Sequence, residues 1–260
     1  MDKAAYLQRK KELEESVVSY KREEFCFKCF RLQKNCLCHF IKSFDTCTHF
    51  VLLMHPMEAK KEKMGTGRLS IACLKNSSMI TGIDFTEDAQ VNAIIADPKN
   101  YCVVLYPGEN ALNISSDDVA PLKTVQQNNL RLVVFLIDGT WPCAKKMMKL
   151  SRNIHSLPRV SFTAHHESLF AIKEQPAEFC LSTLESIHFF LSECERRELE
   201  DLNSAQDNMI DVFKEMINFQ IQCALNPSLS SYRVSSGGYS KKEERTRSKK
   251  WGSNRIVFKG

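Results

Sequence analysis

RLVVFLIDGTWPCAKKMMKL, the stretch from Arg131 to Leu150, decides the fold. Its first part, Leu132-Val-Val-Phe-Leu-Ile137, is apolar and β-branched, with no alternation of polar and apolar residues. A strand covered on both faces has this pattern, and such strands belong to the parallel sheets of α/β proteins. The run stops at Asp138-Gly139-Thr140-Trp141-Pro142, and a basic, Met-rich segment follows at helical spacing. Thr140 suits the cap of that helix and Pro142 its first turn, where a missing N–H costs nothing. The unit therefore reads as strand, tight turn and helix, with Asp138 and Trp141 at the carboxyl end of a central strand. Open α/β sheets bind ligands there. The plainer reading of the same turn is that Asp138 caps and Trp141 packs.

Two more buried runs flank this one in sequence. Thr48 to Met54 ends at His55-Pro56, and Tyr101 to Tyr106 ends at Pro107-Gly108-Glu109-Asn110. If the three strands are parallel, their three loops share one rim. Shorter strand candidates lie at Ser78–Ile80 and Leu157–Phe162. The residues after Ile80 read as a polar loop, and those around Ser115–Asp118 as a polar excursion. Gly65-Thr66-Gly67-Arg68 opens an amphipathic helix, and such a turn can offer free N–H groups and an arginine fork to an anion, although alone it is more often just a turn. Ser182-Thr183-Leu184-Glu185 has the capping-box pattern, and residues 203–225 form a second long helix. Both helices should cover the sheet.

Cys26, Cys29, Cys36 and Cys38 follow the pattern C-x2-C-x6-C-x-C, with Lys28, Arg31, Lys34 and Asn35 between them. Two close thiol pairs joined by a short polar loop can close around one tetrahedral zinc, and so few apolar neighbours argue against packing as their purpose. Bare thiols and redox chemistry are the alternatives; His39 could replace one ligand, but as a neighbour of Cys38 it reads as a bystander. Cys47, Cys73, Cys102, Cys143, Cys180, Cys194 and Cys223 read as small buried hydrophobes.

Composition bounds the rest. With 260 residues, 43% hydrophobic and 26% charged, the chain can form one large domain with appendages. No run approaches a membrane span, and the charged N-terminus is no signal sequence, so a soluble, cytoplasmic protein is expected. The boundaries read as a helical extension over 1–24, the cysteine segment over 25–45, the α/β body over 46–225, and a Ser/Gly linker with a basic tail over 226–260. Residues 241–260 hold eight Lys or Arg against two Glu, so the excess charge of +5 is concentrated in the tail. A basic tail containing Trp251 suits RNA backbone contacts with occasional stacking; a disordered solubilising tail is the alternative.

Six motifs in order, CFKCFRLQKNCLC, HPMEAKKEKMGTGRLS, LYPGENA, DGTWPCAKKM, LPRVSF and LSTLESI, resemble the DTW-domain family of tRNA-uridine aminocarboxypropyltransferases from about Cys26 to Leu191. The resemblance implies a SPOUT-like, mostly parallel sheet with a C-terminal trefoil knot that binds S-adenosylmethionine. It implies transfer of the 3-amino-3-carboxypropyl group to the imino nitrogen of a tRNA uridine, with release of 5'-methylthioadenosine. By motif, Leu105, Tyr106, Pro107, Gly108, Glu109, Asp138, Gly139, Thr140, Leu157, Pro158, Arg159 and Val160 fall to the cofactor pocket. His55, Thr66, Gly67, Arg68, Ser182, Thr183 and Glu185 fall to its rim. Asp138 is implied as base or orienting acceptor, and Trp141 as the surface that turns the transferred arm toward the nucleophile. The chain departs from the family pattern at Gly65, where asparagine is usual, and at Ile172-Lys173, where an arginine-lysine pair is usual. A noncatalytic zinc-containing RNA-binding protein and a SPOUT methyltransferase are the competing readings. The oligomeric state is open: many SPOUT proteins dimerise, but the long C-terminal helices here could cover that surface instead, which slightly favours a monomer.

Overall fold

The computed structural model describes residues 8, 26, 28–29, 31, 33–61, 65–164, 168–170 and 181–225. The expectations for the N-terminal extension, the linker and basic tail with Trp251, Ile172-Lys173, Cys180 and the Cys223 side chain lie outside the described residues.

The strands are β1 His49–Met54, β2 Ser77–Thr81, β3 Asn100–Leu105, β4 Leu112–Asn113, β5 Arg131–Asp138 and β6 Arg159–Ser161. They form one sheet in the order β2-β1-β5-β3-β6-β4, and every neighbouring pair is parallel. The central place of β5 follows from its sequence, because Leu132 to Leu136 are all buried and each face must find a cover. The described helices are α1 Pro56–Lys61, α2 Thr66–Cys73, α3 Ala89–Ala96, α4 Ala120–Gln127, α5 Trp141–Leu150, α6 Arg152–His155, α7 Thr183–Arg196 and α8 Asp207–Leu225.

Alternation along the strands divides the core in two. On one face Phe50, Leu52, Met54, Val103, Val134 and Leu136 pack with Leu69 of α2, Leu122 of α4, Phe190 of α7 and Phe213 of α8. On the other Val51, Leu53, Val104, Val133 and Phe135 pack with Val91 of α3, Met147 and Met148 of α5 and Ile154 of α6. Each fully buried side chain of this size is worth about 1.5–3 kcal/mol, so the two layers together fix the sheet. As expected, α7 and α8 cover the sheet. The cysteine segment is tied to the first layer by Leu37 and Phe44, and Phe44 bridges to Leu74.

The stretches expected to be polar loop and polar excursion contain α3, β4 and α4. These helices have eight residues each, too few turns for periodicity to stand out, and their signals are at the ends. Asp88 caps α3 by accepting from the N–H groups of Gln90 and Val91, and Asp118 accepts from the Ala120 N–H just before Pro121 in α4. Cys73, Cys102 and Cys194 are buried as expected, but Cys47 is exposed and Cys143 half-buried. Cys47 lies just before β1 between the buried Thr46 and Thr48, and its N–H is held by Glu200 at 2.9 Å. Thr140 does occupy the N-cap position of α5, but its side chain makes no capping hydrogen bond.

The chain leaves β1 toward β2 and leaves β5 toward β6, in opposite directions along the sheet. The carboxyl ends of neighbours β1 and β5 therefore flank a topological switch point, where a crevice opens outside the strands. His55 follows one strand and Asp138 ends the other.

Candidate active site

Met54 is in register with Asp138, and the His55 N–H donates to the Asp138 carbonyl at 2.8 Å, so the two loops leave the sheet side by side. The Asp138 side chain follows Val134 and Leu136 onto the α2–α7 face and is 6% exposed. There the Thr183 hydroxyl donates to its Oδ1 at 2.6 Å. Gly67, in the first turn of α2, lies directly against the carboxylate. A Cβ at position 67 would stand 2.7 Å from Asp138 Cγ and 2.9 Å from Leu52 Cδ2, so only glycine lets the helix approach this closely. Gly139 is less tightly confined, because a Cβ there would meet those of His55 and Cys143 at 3.3 Å, which asks the neighbours to give by a few tenths of an ångström.

Arg68 is half-buried and donates to the Ala59 carbonyl at 2.7 Å. Burial lowers its pKa, while the Asp138 charge opposes that shift. His55 Nδ1 accepts from the Met57 N–H at 3.2 Å, which leaves Nε2 as the protonated nitrogen of the neutral ring. Thr66 is buried, and Trp141 is half-buried in the first turn of α5.

Ser182 and Glu185 form the full capping box of α7. The buried Glu185 carboxylate accepts from the Ser182 N–H at 2.8 Å, the Ser168 hydroxyl at 2.8 Å and the Leu169 N–H at 2.7 Å. These bonds fix the start of α7, and hence Thr183, while pinning residues 168–169. They position the site.

The second group of sequence-selected residues lies around β3 and β6. Tyr106 N–H donates to the Val160 carbonyl at 3.1 Å and Val104 N–H to the Pro158 carbonyl at 2.9 Å, which draws the loop after β3 against β6. Pro107, Gly108 and Glu109 are exposed. Leu105 and Val160 face the α2–α7 layer, whereas Tyr106 and Leu157 face the α5–α6 layer. The Arg159 guanidinium lies 5.7 Å from the Tyr106 ring centroid and donates to His155 Nε2 at 3.4 Å. Its Nη1 would be 2.7 Å from a Cβ at Gly108. Burial raises the Tyr106 pKa, against the pull of Arg159, so its hydroxyl stays neutral. The structure thus gathers Asp138, Gly67, Arg68 and Thr183 on one side of the rim, leaves His55 beside Gly139 and Cys143 at the start of α5, and turns the side chains of Tyr106 and Arg159 to the other side.

The motif reading missed residues on that other side. An open cleft of about 430 Å³ is lined by Tyr106, Lys145, Met148, Lys149, Arg152, His155 and Arg159. The signal was present in the i, i+4 spacing of Lys145 and Lys149, with buried Met147 on the opposite face of the helix.

At the cysteine segment, the four Sγ atoms lie within 4.8 Å of one another, with Cys26–Cys38 at 3.5 Å and Cys29–Cys36 at 3.7 Å. Sulfurs around a tetrahedral zinc at about 2.3 Å would be roughly 3.8 Å apart, so this donor set fits the metal. The Cys29 N–H leads the contacts that lower the Cys26 thiol to about 6, whereas burial pushes the Cys36 and Cys38 thiols up; a metal would have to hold all of them as thiolates. His39 is exposed and pairs with the Phe40 ring.

Proteins named tRNA-uridine aminocarboxypropyltransferase are similar to this chain. The one called 2 in Macaca fascicularis is 28% identical over 84% of this chain and 70% of its own length. Its namesake in Mus musculus is 29% identical over 85% and 72%. The one called A in Arabidopsis thaliana is 26% identical over 80% and 85%. No solved structure matches the chain at a significant level. No described helix is long and apolar enough to cross a membrane. The family model of the DTW domain matches residues 23–221. A match of that extent takes in the cysteine segment, the whole sheet and α7, and it makes this chain a member of the DTW-domain family.

Proposed function

We propose that the protein is a tRNA-uridine aminocarboxypropyltransferase that draws its transferred group from S-adenosylmethionine. The observation that carries the reading is the Asp138 carboxylate, buried at the switch point, held by Thr183 and closed over by Gly67. A buried carboxylate suits both a cationic sulfonium donor and a weakly acidic uracil imide. The names borne by the relatives supply the reaction and the RNA substrate.

In the reaction, the uridine imino nitrogen attacks the carbon next to the sulfonium, the carbon–sulfur bond breaks, and its electron pair leaves with 5'-methylthioadenosine. The leaving group is already good, so holding the two reactants in line supplies much of the acceleration. Asp138 takes or orients the imide proton. Thr183 fixes one carboxylate oxygen, which leaves the orientation of the group set by α7. Trp141 packs the methylene arm, the choice that separates this transfer from methylation. The backbone of residues 105–109 and 157–160 holds the rest of the cofactor. A SPOUT-like knot belongs to this proposal, as does a structural zinc at Cys26, Cys29, Cys36 and Cys38.

Incubation with unmodified tRNA and S-adenosylmethionine, followed by mass identification of nucleoside and by-product, tests the reading. Aminocarboxypropyl-uridine together with methylthioadenosine is expected. A methylated base with S-adenosylhomocysteine would replace it with methyl transfer.

A further inference from the structure

Lys145 and Lys149 stand one turn apart on the solvent side of α5, and Arg152 and His155 follow on α6. Arg159 faces them from β6, over the Tyr106 ring. Among the described residues lining this cleft there is no carboxylate. Asp84 interacts electrostatically with Arg152, and its carboxyl is held low first by the Thr86 N–H and hydroxyl, with a smaller contribution from Arg152.

The corner that presents these cations is rigid. Ser151, between α5 and α6, is buried and accepts from the Phe85 N–H at 3.1 Å. Asn153 donates to the Phe85 carbonyl at 2.8 Å and to Asn92 at 2.7 Å. Met147, Met148 and Ile154 anchor the same corner in the core. The positive charges are therefore prepositioned, with little ordering left to do on binding.

Electrostatics decides between two occupants. S-adenosylmethionine carries a sulfonium and an ammonium against one carboxylate, so it is repelled by four permanent cations with no acid among them and is drawn to Asp138 on the other face. A polyanion is drawn the opposite way. Tyr106, neutral and backed by Arg159, adds a ring on which a base or ribose can rest.

The geometry points to this cleft as the docking surface for the sugar–phosphate backbone of the RNA substrate, with the Tyr106 and Arg159 side chains serving RNA. The inference rests on the tRNA reading above and divides the work of the rim. Cofactor chemistry lies on the Asp138 side, and RNA positioning lies across the sheet edge on the α5–α6 side.

Charge reversal tests it in the full-length protein. Lys145→Glu with Lys149→Glu, and separately Arg152→Glu, change exposed side chains and should leave the thermal unfolding midpoint within a few degrees. Direct binding of tRNA, measured by fluorescence anisotropy without S-adenosylmethionine, should weaken at least tenfold in the double variant. The slope of log affinity against log salt should fall by about 0.7 to 0.9 for each phosphate that is no longer neutralised. Cofactor binding, measured separately by equilibrium dialysis, should be unchanged. Unchanged tRNA affinity and salt slope in both variants would overturn the inference, as would loss of cofactor binding with tRNA affinity intact. If the wild type binds tRNA, the variants lose it, and yet no aminocarboxypropyl-uridine forms, the docking surface stands while the proposed reaction falls.

Discussion

At the scale of single residues, Asp138 and Gly67 carry the sharpest expectations. Asp138→Asn keeps the oxygen that accepts from Thr183 but removes the charge. Aminocarboxypropyl transfer in single-turnover assays should drop by about 10²–10⁴, with the circular dichroism spectrum unchanged. Retained activity would remove Asp138 from the chemistry. Gly67→Ala pits two effects against each other. The helix gains about 1 kcal/mol of propensity, but the new methyl meets the Asp138 carboxylate and Leu52 inside van der Waals contact. Overpacking costs typically about 1–3 kcal/mol, so a net loss of stability and of activity is expected, read as a lower thermal midpoint beside a slower turnover. In the sequence this glycine reads as part of an anion-binding turn. Its conformation lies outside the left-handed region, and close approach explains it.

At the scale of elements, α7 works as a lever that sets Thr183. Ser182→Ala removes one long capping bond, 3.4 Å to the Glu185 N–H, and should cost about 1 kcal/mol at most. Glu185→Ala leaves the Ser182 and Leu169 N–H groups and the Ser168 hydroxyl without their acceptor. Each such orphaned group costs about 1–3 kcal/mol when it stays buried, so the urea midpoint should fall clearly further for Glu185→Ala than for Ser182→Ala. Equal midpoints would show that residues 168–169 find other partners. The capping box was legible in four letters. That its glutamate also pins a segment 16 and 17 residues upstream was not, since nothing local encodes that contact.

At the scale of the whole molecule, the cysteine segment contributes through the metal it can bind and through Leu37 and Phe44 in the main core. Cys36→Ser should lower the zinc content of purified protein well below one ion per chain and lower the thermal midpoint, and zinc retained at full content would remove Cys36 from the ligand set. Acid should release the metal from the wild type, because protons compete for thiolates, and a chromogenic chelator would follow it. The sequence by itself determined the buried central strand, the loops after β1, β3 and β5, the four-thiol pattern and the capping box, because each is written in adjacent residues through burial pattern, turn chemistry or ligand spacing. It did not determine the short helices α3 and α4, whose two turns carry too little periodicity, nor the exposure of Cys47. Tertiary structure alone decided the strand order, and with it the switch point between β1 and β5. It also decided which face each side chain enters, placing Asp138 with Gly67 and Thr183 but Tyr106 and Arg159 with the basic cleft. The physical reason is that alternation fixes sides only relative to a strand's own neighbours, and which layer covers each side is settled when helices far apart in sequence compete for the same apolar surface.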